Sequence, residues 1–345
     1  MGDLGIDTLT HALSGALLAR ATAPREAPQG TLPKRIGAGF LAAAAPDLDF
    51  VIGLIGPEAY LAHHRGVTHS LVLLPLSAWL LSWILARLLR EPGGWRALYG
   101  VAAMSLALHI AGDVITSFGT VVFAPLSGWR AQLGTTFIID LWFTGIIVAG
   151  LVLSALLYRY RSPAVVASFV LMGYVGFQFV LKQQALELGR EYAMAQRLSG
   201  EVRVSAQPRP PTPFNWTVFV TDEEAQRYAH VNLLRRQPRR ASPGDGFLAR
   251  IDAPYLPTDQ AIWVRRSRYG ETEEVRPLAR EAWQAPGLAL FRWFADLPAF
   301  DGVSDGGRCL WFADLRFLTP GRDGLPFRYA ACRDGPGTPW QTRPG

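Results

Sequence analysis

Charge is scarce in the first half of this chain, and cysteine is nearly absent throughout. Lys, Arg, Asp and Glu make up 18% of the 345 residues, against roughly a quarter in soluble proteins. The shortage is local: residues 1–185 carry 12 Lys/Arg and 9 Asp/Glu, whereas residues 186–345 carry 22 and 19. The first part is composed like membrane protein and the second like a soluble domain. That excludes one globular domain, a disordered chain and a fibre. The two cysteines, Cys309 and Cys332, leave the membrane half without a thiol nucleophile. No G-x-S-x-G elbow or P-loop occurs, so neither a serine-hydrolase elbow nor that nucleotide cradle is expected. The net charge of +6 comes with no basic stripe interleaved with aromatics, so nucleic acid is not expected as a partner. Asp3 and Asp7 stand where a signal peptide would be basic, and no cleaved leader is expected.

What is present is apolar length. Val67–Ala86, Phe137–Tyr158 and Ala164–Leu181 read as spanning helices, and Ala97–Ile115 is a fourth that contains His109 and Asp113. Thr8–Ala19 is short, and Ile36–Ile55 is interrupted by Pro46, Asp47 and Asp49, so this pair reads as spans or as a re-entrant hairpin. The count is four to six. Arg20, Arg25, Lys34, Arg35, Arg87, Arg90, Arg96, Arg159 and Arg161 fall in loops on one side by alternation, against Arg65 and Arg130 on the other. Nine against two places the first set in the cytoplasm. Everything after residue 182 then faces outward, into a periplasmic or extracellular space.

The expected organisation is an all-α membrane domain over 1–185, a helical and proline-rich connector over 186–213 and a mainly β soluble domain over 214–345. Trp216–Thr221, Ala261–Arg265, Leu288–Trp293, Leu310–Phe317 and Phe327–Ala331 read as strands, being aromatic and β-branched between Gly, Pro and Asp. Cys309 and Cys332 fall on neighbouring expected strands, and a disulfide and two buried thiols are equally open.

Five of six histidines lie in the first 110 residues: His11, His63, His64, His69 and His109. With them come Asp47, Asp49, Asp113 and Asp140. Ionisable groups at membrane depth cost roughly 2.5–3.5 kcal/mol each, so such residues mark function more often than packing when they gather. Alternating topology brings all nine to one leaflet. His109 and Asp113 are four apart on a helix, hence on one face. The "PDLD" carboxylates follow a helix-breaking proline. "HHRGVTHS" sets His64 and His69 around Gly66, with Thr68 as a candidate helix N-cap. In extended backbone Asp47 and Asp49 point oppositely, so one of the two need reach a metal directly. The His/Asp mixture suits Zn²⁺, with Mn²⁺ or Fe²⁺ as alternatives.

The segments "DTLTHALSGALLA", "PDLDF", "HHRGVTHSL", "HIAGDVITSFGT" and "FAPLSGWR…FIIDLWF" resemble the YdjM-like family of bacterial inner-membrane proteins, described as membrane-bound metal-dependent hydrolases. The resemblance covers roughly residues 7–185. The motif set is similar in turn to the zinc-dependent phospholipase C and P1 nuclease group, an all-helical fold with a His/Asp zinc cluster. Carried over by position, the resemblance implies His11, Asp49 (or Asp47), His69, His109 and Asp113 as ligands. This chain has no further HxxxE pair and His11 is not N-terminal, so one or two ions are implied. Asp47, Asp140 and His64 are then the candidates to orient ligands or take a proton.

The expected function is metal-dependent hydrolysis of a phosphoester or phosphodiester in a lipid or lipid-linked substrate, at the outer leaflet of the inner membrane. The competing reading is a non-enzymatic metal-binding transporter or structural, partner-binding membrane protein. Against a transporter, the inner-side halves of the helices carry no ionisable residues, and no internal repeat appears.

Overall fold

In a computed structural model, residues 4–24, 30–242, 244–321, 324–335 and 337–345 are described. Arg25 and Asp3, used above in reading orientation and the leader, lie outside them. The chain divides into two compact units, Met1–Val180 and Leu181–Gly345.

The first unit is helical. Helices α1 (Leu4–Ala21) and α2 (Thr31–Ala44) pack through small residues. A Cβ on Gly15 would lie 2.2 Å from the Gly39 carbonyl oxygen, and Ala19 and Ala43 continue the contact one turn on. This small-xxx-small stripe on both helices lets their backbones approach without a driving force from water. Pro46 cannot donate to the helical ladder and ends α2, and Pro46–Leu54 tightens into a 3-10 helix. Then follow α3 (Pro57–His63), a 3-10 turn Val67–His69, α4 (Leu74–Leu88) and α5 (Gly94–Val114). Helix α5 buries Leu98, Val101, Ala102, Ser105, Leu106, His109, Ile110 and Asp113. That is one continuous helical stripe in which the last members are polar. A long loop leads to α6 (Leu141–Leu156), and α7 (Ser162–Ala195) closes the unit and enters the second.

Among the described residues three stretches are long and apolar enough to cross a membrane, Thr31–Leu54, Gly94–Val114 and Ser162–Ala195, or four if a bent pair of helices over residues 57–88 counts as one span. Leu76, Leu80, Val152, Phe169 and Val170 are exposed, as lipid-facing residues would be. Two expected spans are corrected. Val67–Ala86 is broken, with an 83° bend between Pro57–His69 and Leu74–Leu88. Ser70 Oγ accepts from the N–H groups of Val72 and Leu73, which starts a new helix there. The span expected over Phe137–Tyr158 is helical only from Leu141, because Asp140 accepts from the N–H groups of Trp142 and Phe143 as an N-cap. Its 16 residues are fewer than a full crossing uses.

The second unit is mostly β. One sheet runs β1 (Arg203–Pro208), β2 (Asn215–Thr221), β3 (Ala225–Asn232) and β4 (Leu256–Pro257), with β5 (Val264–Ser267) also paired to β3. The other is an antiparallel meander of β6 (Pro298–Ser304), β7 (Cys309–Asp314), β8 (Arg328–Cys332) and β9 (Gln341–Pro344). Trp216, Val218, Ala229 and Val231 pack with Leu181 and Ala185 of α7. Cys309 and Cys332 face each other in register and are disulfide-bonded.

Two expectations change here. The stretch 186–213, expected as a helical and proline-rich connector, is helical to Ala195 and then also contains β1, which pairs with β2 along the strand's whole length. Leu288–Trp293 is not a strand: Ala289–Phe294 is helical. Leu288, Phe291 and Phe294 are all buried at a spacing of three, a helical period hidden by aromatic composition.

Candidate metal centre

His109 and Asp113 sit one turn apart on α5, both buried to within 1% of full enclosure. His109 Nδ1 lies 2.6 Å from the carbonyl oxygen of Ala43, at the end of α2. A carbonyl only accepts, so Nδ1 carries the proton and Nε2 presents a lone pair. The 3-10 turn delivers His69, and the same logic fixes its tautomer. Thr68 Oγ1 donates to Asp49 Oδ2 at 2.7 Å, so its lone pair receives the Nδ1 proton of His69 at 2.9 Å. In the neutral ring His69 then also presents Nε2 as a lone pair.

These two nitrogens face each other at 2.9 Å. Asp113 Oδ2 lies 3.0 Å from His69 Nε2 and 3.5 Å from His109 Nε2. Asp47 Oδ1 lies 3.7 and 3.5 Å from the same two atoms. These buried donor atoms meet so closely that a shared proton or a shared cation must lie between them. The Asp113 Oδ2 and Asp47 Oδ2 atoms are buried and accept no hydrogen bond from a described residue. Ligands about 2.0–2.1 Å from one tetrahedral ion stand about 3.3 Å apart, the scale of the separations among His69, His109 and Asp113. The donor set fits a divalent metal.

Beside this set lies a second cluster. His11 Nε2 is 3.3 Å from Asp113 Oδ1 and 3.5 Å from Asp7 Oδ1, and its ring centroid is 4.0 Å from that of His109. Ligand atoms of Asp7, His11 and Asp113 also converge, as do those of His11, Asp47 and His109. Arg65, 1% exposed, reaches Asp113 Oδ1 at 2.9 Å and Asp7 Oδ2 at 3.2 Å. Its guanidinium balances one charge, yet Asp7, Asp47, Asp49 and Asp113 are all buried. The remaining carboxylate charge must be balanced by protonated imidazoles or by a bound cation. Gly112 makes the approach of His11 possible, since a Cβ there would lie 2.8 Å from His11 Cε1.

The structure thus gathers His11, Asp47, His69, His109 and Asp113. It places the remaining candidates differently. Asp49, the favoured ligand of its motif, has both oxygens occupied: Oδ1 by His64 Nδ1 at 2.7 Å, Oδ2 by Thr68 and the Arg65 N–H. The pair lies on a 3-10 helix rather than extended backbone, so both carboxylates turn inward and Asp47 takes the inner position. Thr68 is no helix N-cap; it links Asp49 to His69. His64 stacks on Tyr60 at 4.4 Å, with its ring centroid 6.0 Å from that of His69. His63 is exposed at the end of α3. Asp140 caps α6 and accepts from the Tyr174 hydroxyl at 2.8 Å, so its oxygens serve the helix end. Asp7 and Arg65 were not among the expected site residues. The Asp7–His11 spacing of four on a helix, a mirror of His109–Asp113, is the signal that points to Asp7.

The model of the YdjM inner membrane protein family matches residues 6–185, which contain every residue of both clusters. The chain belongs to the YdjM inner membrane protein family. One similar protein is YfhP, an uncharacterized protein of Bacillus subtilis (strain 168). It is 26% identical over 190 residues, covering 54% of this chain and 57% of YfhP. The chain thus spans little more than half of that relative. No solved structure matches the chain.

Proposed function

We propose that this YdjM-family protein is a metal-dependent hydrolase that cleaves a phosphoester or phosphodiester of a lipid or lipid-linked substrate. Its site would open to the outer leaflet of the inner membrane. The observation that carries the reading is the buried convergence of His69, His109 and Asp113, with Asp47 beside the two imidazoles and each imidazole Nδ1 bonded to Thr68 or the Ala43 carbonyl. His69, His109, Asp113 and Asp47 would hold one ion, Zn²⁺ first and Mn²⁺ or Fe²⁺ next by its donor chemistry. When bound, such an ion supplies a Lewis acid and eases deprotonation of water near neutral pH.

The protein's own residues supply the rest. The Ala43 carbonyl and Thr68 hold the imidazoles in orientation. His64, backed by Asp49 at 2.7 Å, is placed to take a proton as the general base of a His–Asp couple. Arg65 holds Asp7 and Asp113 in place. Exposed Leu48, Phe50, Val51, Val67 and Leu71 flank the ligands in sequence, which supports an acyl-chain substrate. Outward placement is supported by the Lys/Arg asymmetry of the loops and by the Cys309–Cys332 disulfide, a bond of oxidising compartments.

The enclosure of the centre favours a second reading, a closed metal site that stabilises the bundle without turnover. His69 and Asp113 are 0% exposed, whereas catalytic sites keep an open position. Metal content of the purified full-length protein, measured alongside headgroup release from mixed phospholipid vesicles, separates the two. The hydrolase reading expects about one ion per chain and release that chelation abolishes. Full metal with no release from any phospholipid selects the structural role.

A further inference from the structure

Arg20, at the last turn of α1, lies roughly 20 Å along that helix from Asp7, at 1.5 Å per residue. A cavity of about 520 Å³ opens there, lined by Arg20, Arg159, Arg161, Ser162, Val165 and Val166 among others. The size suits a small ligand. Three arginines line this cavity, and among the described residues none of its lining is acidic. Arg20 is buried and donates to the carbonyl oxygens of Tyr158 and Tyr160, both at 2.7 Å, which fixes the turn that carries the other two. Arg161 is anchored by a bond to the Ala23 carbonyl at 3.0 Å, and Arg159 is exposed. Ser162 begins α7, so the positive end of a 34-residue helix forms part of the wall. Val166, 59% exposed, continues the lining onto the apolar side of that helix.

We propose that this cavity binds the phosphate of an anionic phospholipid headgroup, with the acyl chains running along α7. Three arginines lining one cavity, with no acidic residue among its described lining, favour an anion there, and arginine forks match phosphate oxygens in pairs. The adjoining apolar helix favours a lipid over a free ion. The loop count that assigns Arg20, Arg159 and Arg161 to the cytoplasmic side puts the site in the inner leaflet, where such headgroups face basic residues. The inference does not depend on the hydrolase reading, because no residue is shared with the metal centre.

The test uses the full-length protein in detergent, with phosphatidylglycerol, phosphatidylcholine and inorganic phosphate as separate probes. Retained lipid is counted by native mass spectrometry and protection by thermal melting. Phosphatidylglycerol should be retained and raise the melting temperature, while phosphatidylcholine and millimolar phosphate should do neither. Arg159→Ala, an exposed substitution that leaves the fold intact, should weaken phosphatidylglycerol binding about fivefold, and Arg159→Ala with Arg161→Ala about 25-fold. Arg159→Lys should keep most of the binding, and Arg96→Ala, a control in another basic loop, should keep all of it. Equal retention of both lipids, or losses as large in Arg96→Ala, would overturn the site. Protection by inorganic phosphate equal to that of phosphatidylglycerol would overturn the lipid assignment.

Discussion

Asp113 in the first unit and Asp314 in the second are both 0% exposed, and their surroundings differ in kind. Asp314 is saturated by protons. Its Oδ1 accepts from the N–H groups of Leu297 and Arg316, and its Oδ2 from Asp296 N–H and from Arg316 Nε at 2.7 Å. Asp113 has the Arg65 guanidinium beside Oδ1, but its Oδ2 faces two imidazole Nε2 atoms and accepts no hydrogen bond from a described residue. Burying a charge is costly unless it is paired and hydrogen-bonded. Asp314 meets that requirement with the chain alone and so is architecture. Asp113 does not, and the missing partner is what separates a ligand set from a packing network.

The sharpest way to break this contrast is Asp113→Asn. The variant should lose metal affinity by more than about 100-fold, beyond the 10–100-fold typical of groups that merely orient a ligand. It should still insert, since removing a charge makes α5 more apolar. Elemental analysis of the purified variant decides. Stoichiometric metal in Asp113→Asn would make the cluster a network of the Asp314 kind.

The converse is Asp314→Ala, which leaves Arg316 buried with Asp296 as its remaining acidic partner. Breaking a buried pair this way should cost about 3 kcal/mol, read by denaturant unfolding through tryptophan fluorescence. Bound metal should be unchanged. A loss of metal without a loss of stability would erase the distinction between the two carboxylates.

Within the first unit the same contrast recurs two residues apart. Asp47 has a buried oxygen without a hydrogen bond, and Asp49 has none to spare. Asp47→Asn should therefore empty the site as Asp113→Asn does. Asp49→Asn should keep a weaker site, with affinity or turnover down about 10–100-fold. The opposite ranking would restore Asp49 as the ligand.

That reversal shows where sequence reading stops. The HxxxD pair on α5 was legible because a helix phases residues four apart onto one face, whatever its surroundings. The choice between Asp47 and Asp49 depends on local backbone, and a 3-10 helix after Pro46 turns both inward where an extended strand would part them. Arg65 counted as a loop cation because its burial arises from Asp7 and Asp113, residues 58 and 48 positions away in the chain. The apolar composition of 1–185 announced a membrane unit, but the break at Ser70 rests on one hydroxyl taking two backbone N–H groups. In the second unit Leu288–Phe294 looked like strand by residue type and is helix by the spacing of what it buries.

The smallest effect tests whether the second unit, satisfied by its own bonds, still reports on charge. His230 lies on β3, with its Nδ1 2.9 Å from Thr217 Oγ1. Burial, followed by the nearby Arg209 guanidinium, pushes its pKa down to about 3. The folded state thus binds fewer protons than the unfolded chain, whose imidazole titrates near 6.5. Stability from this group is complete above about pH 6.5 and is lost progressively as pH falls from there toward 3. Between pH 7 and 5.5 the loss should be about 1 kcal/mol. Denaturant unfolding at both pH values, compared between the wild type and His230→Gln, isolates the term, because glutamine does not titrate and other groups cancel. The variant should lose about 1 kcal/mol less than the wild type over this interval. Equal losses would mean that His230 takes up its proton in the folded state, and that the second unit also contains a buried site open to charge.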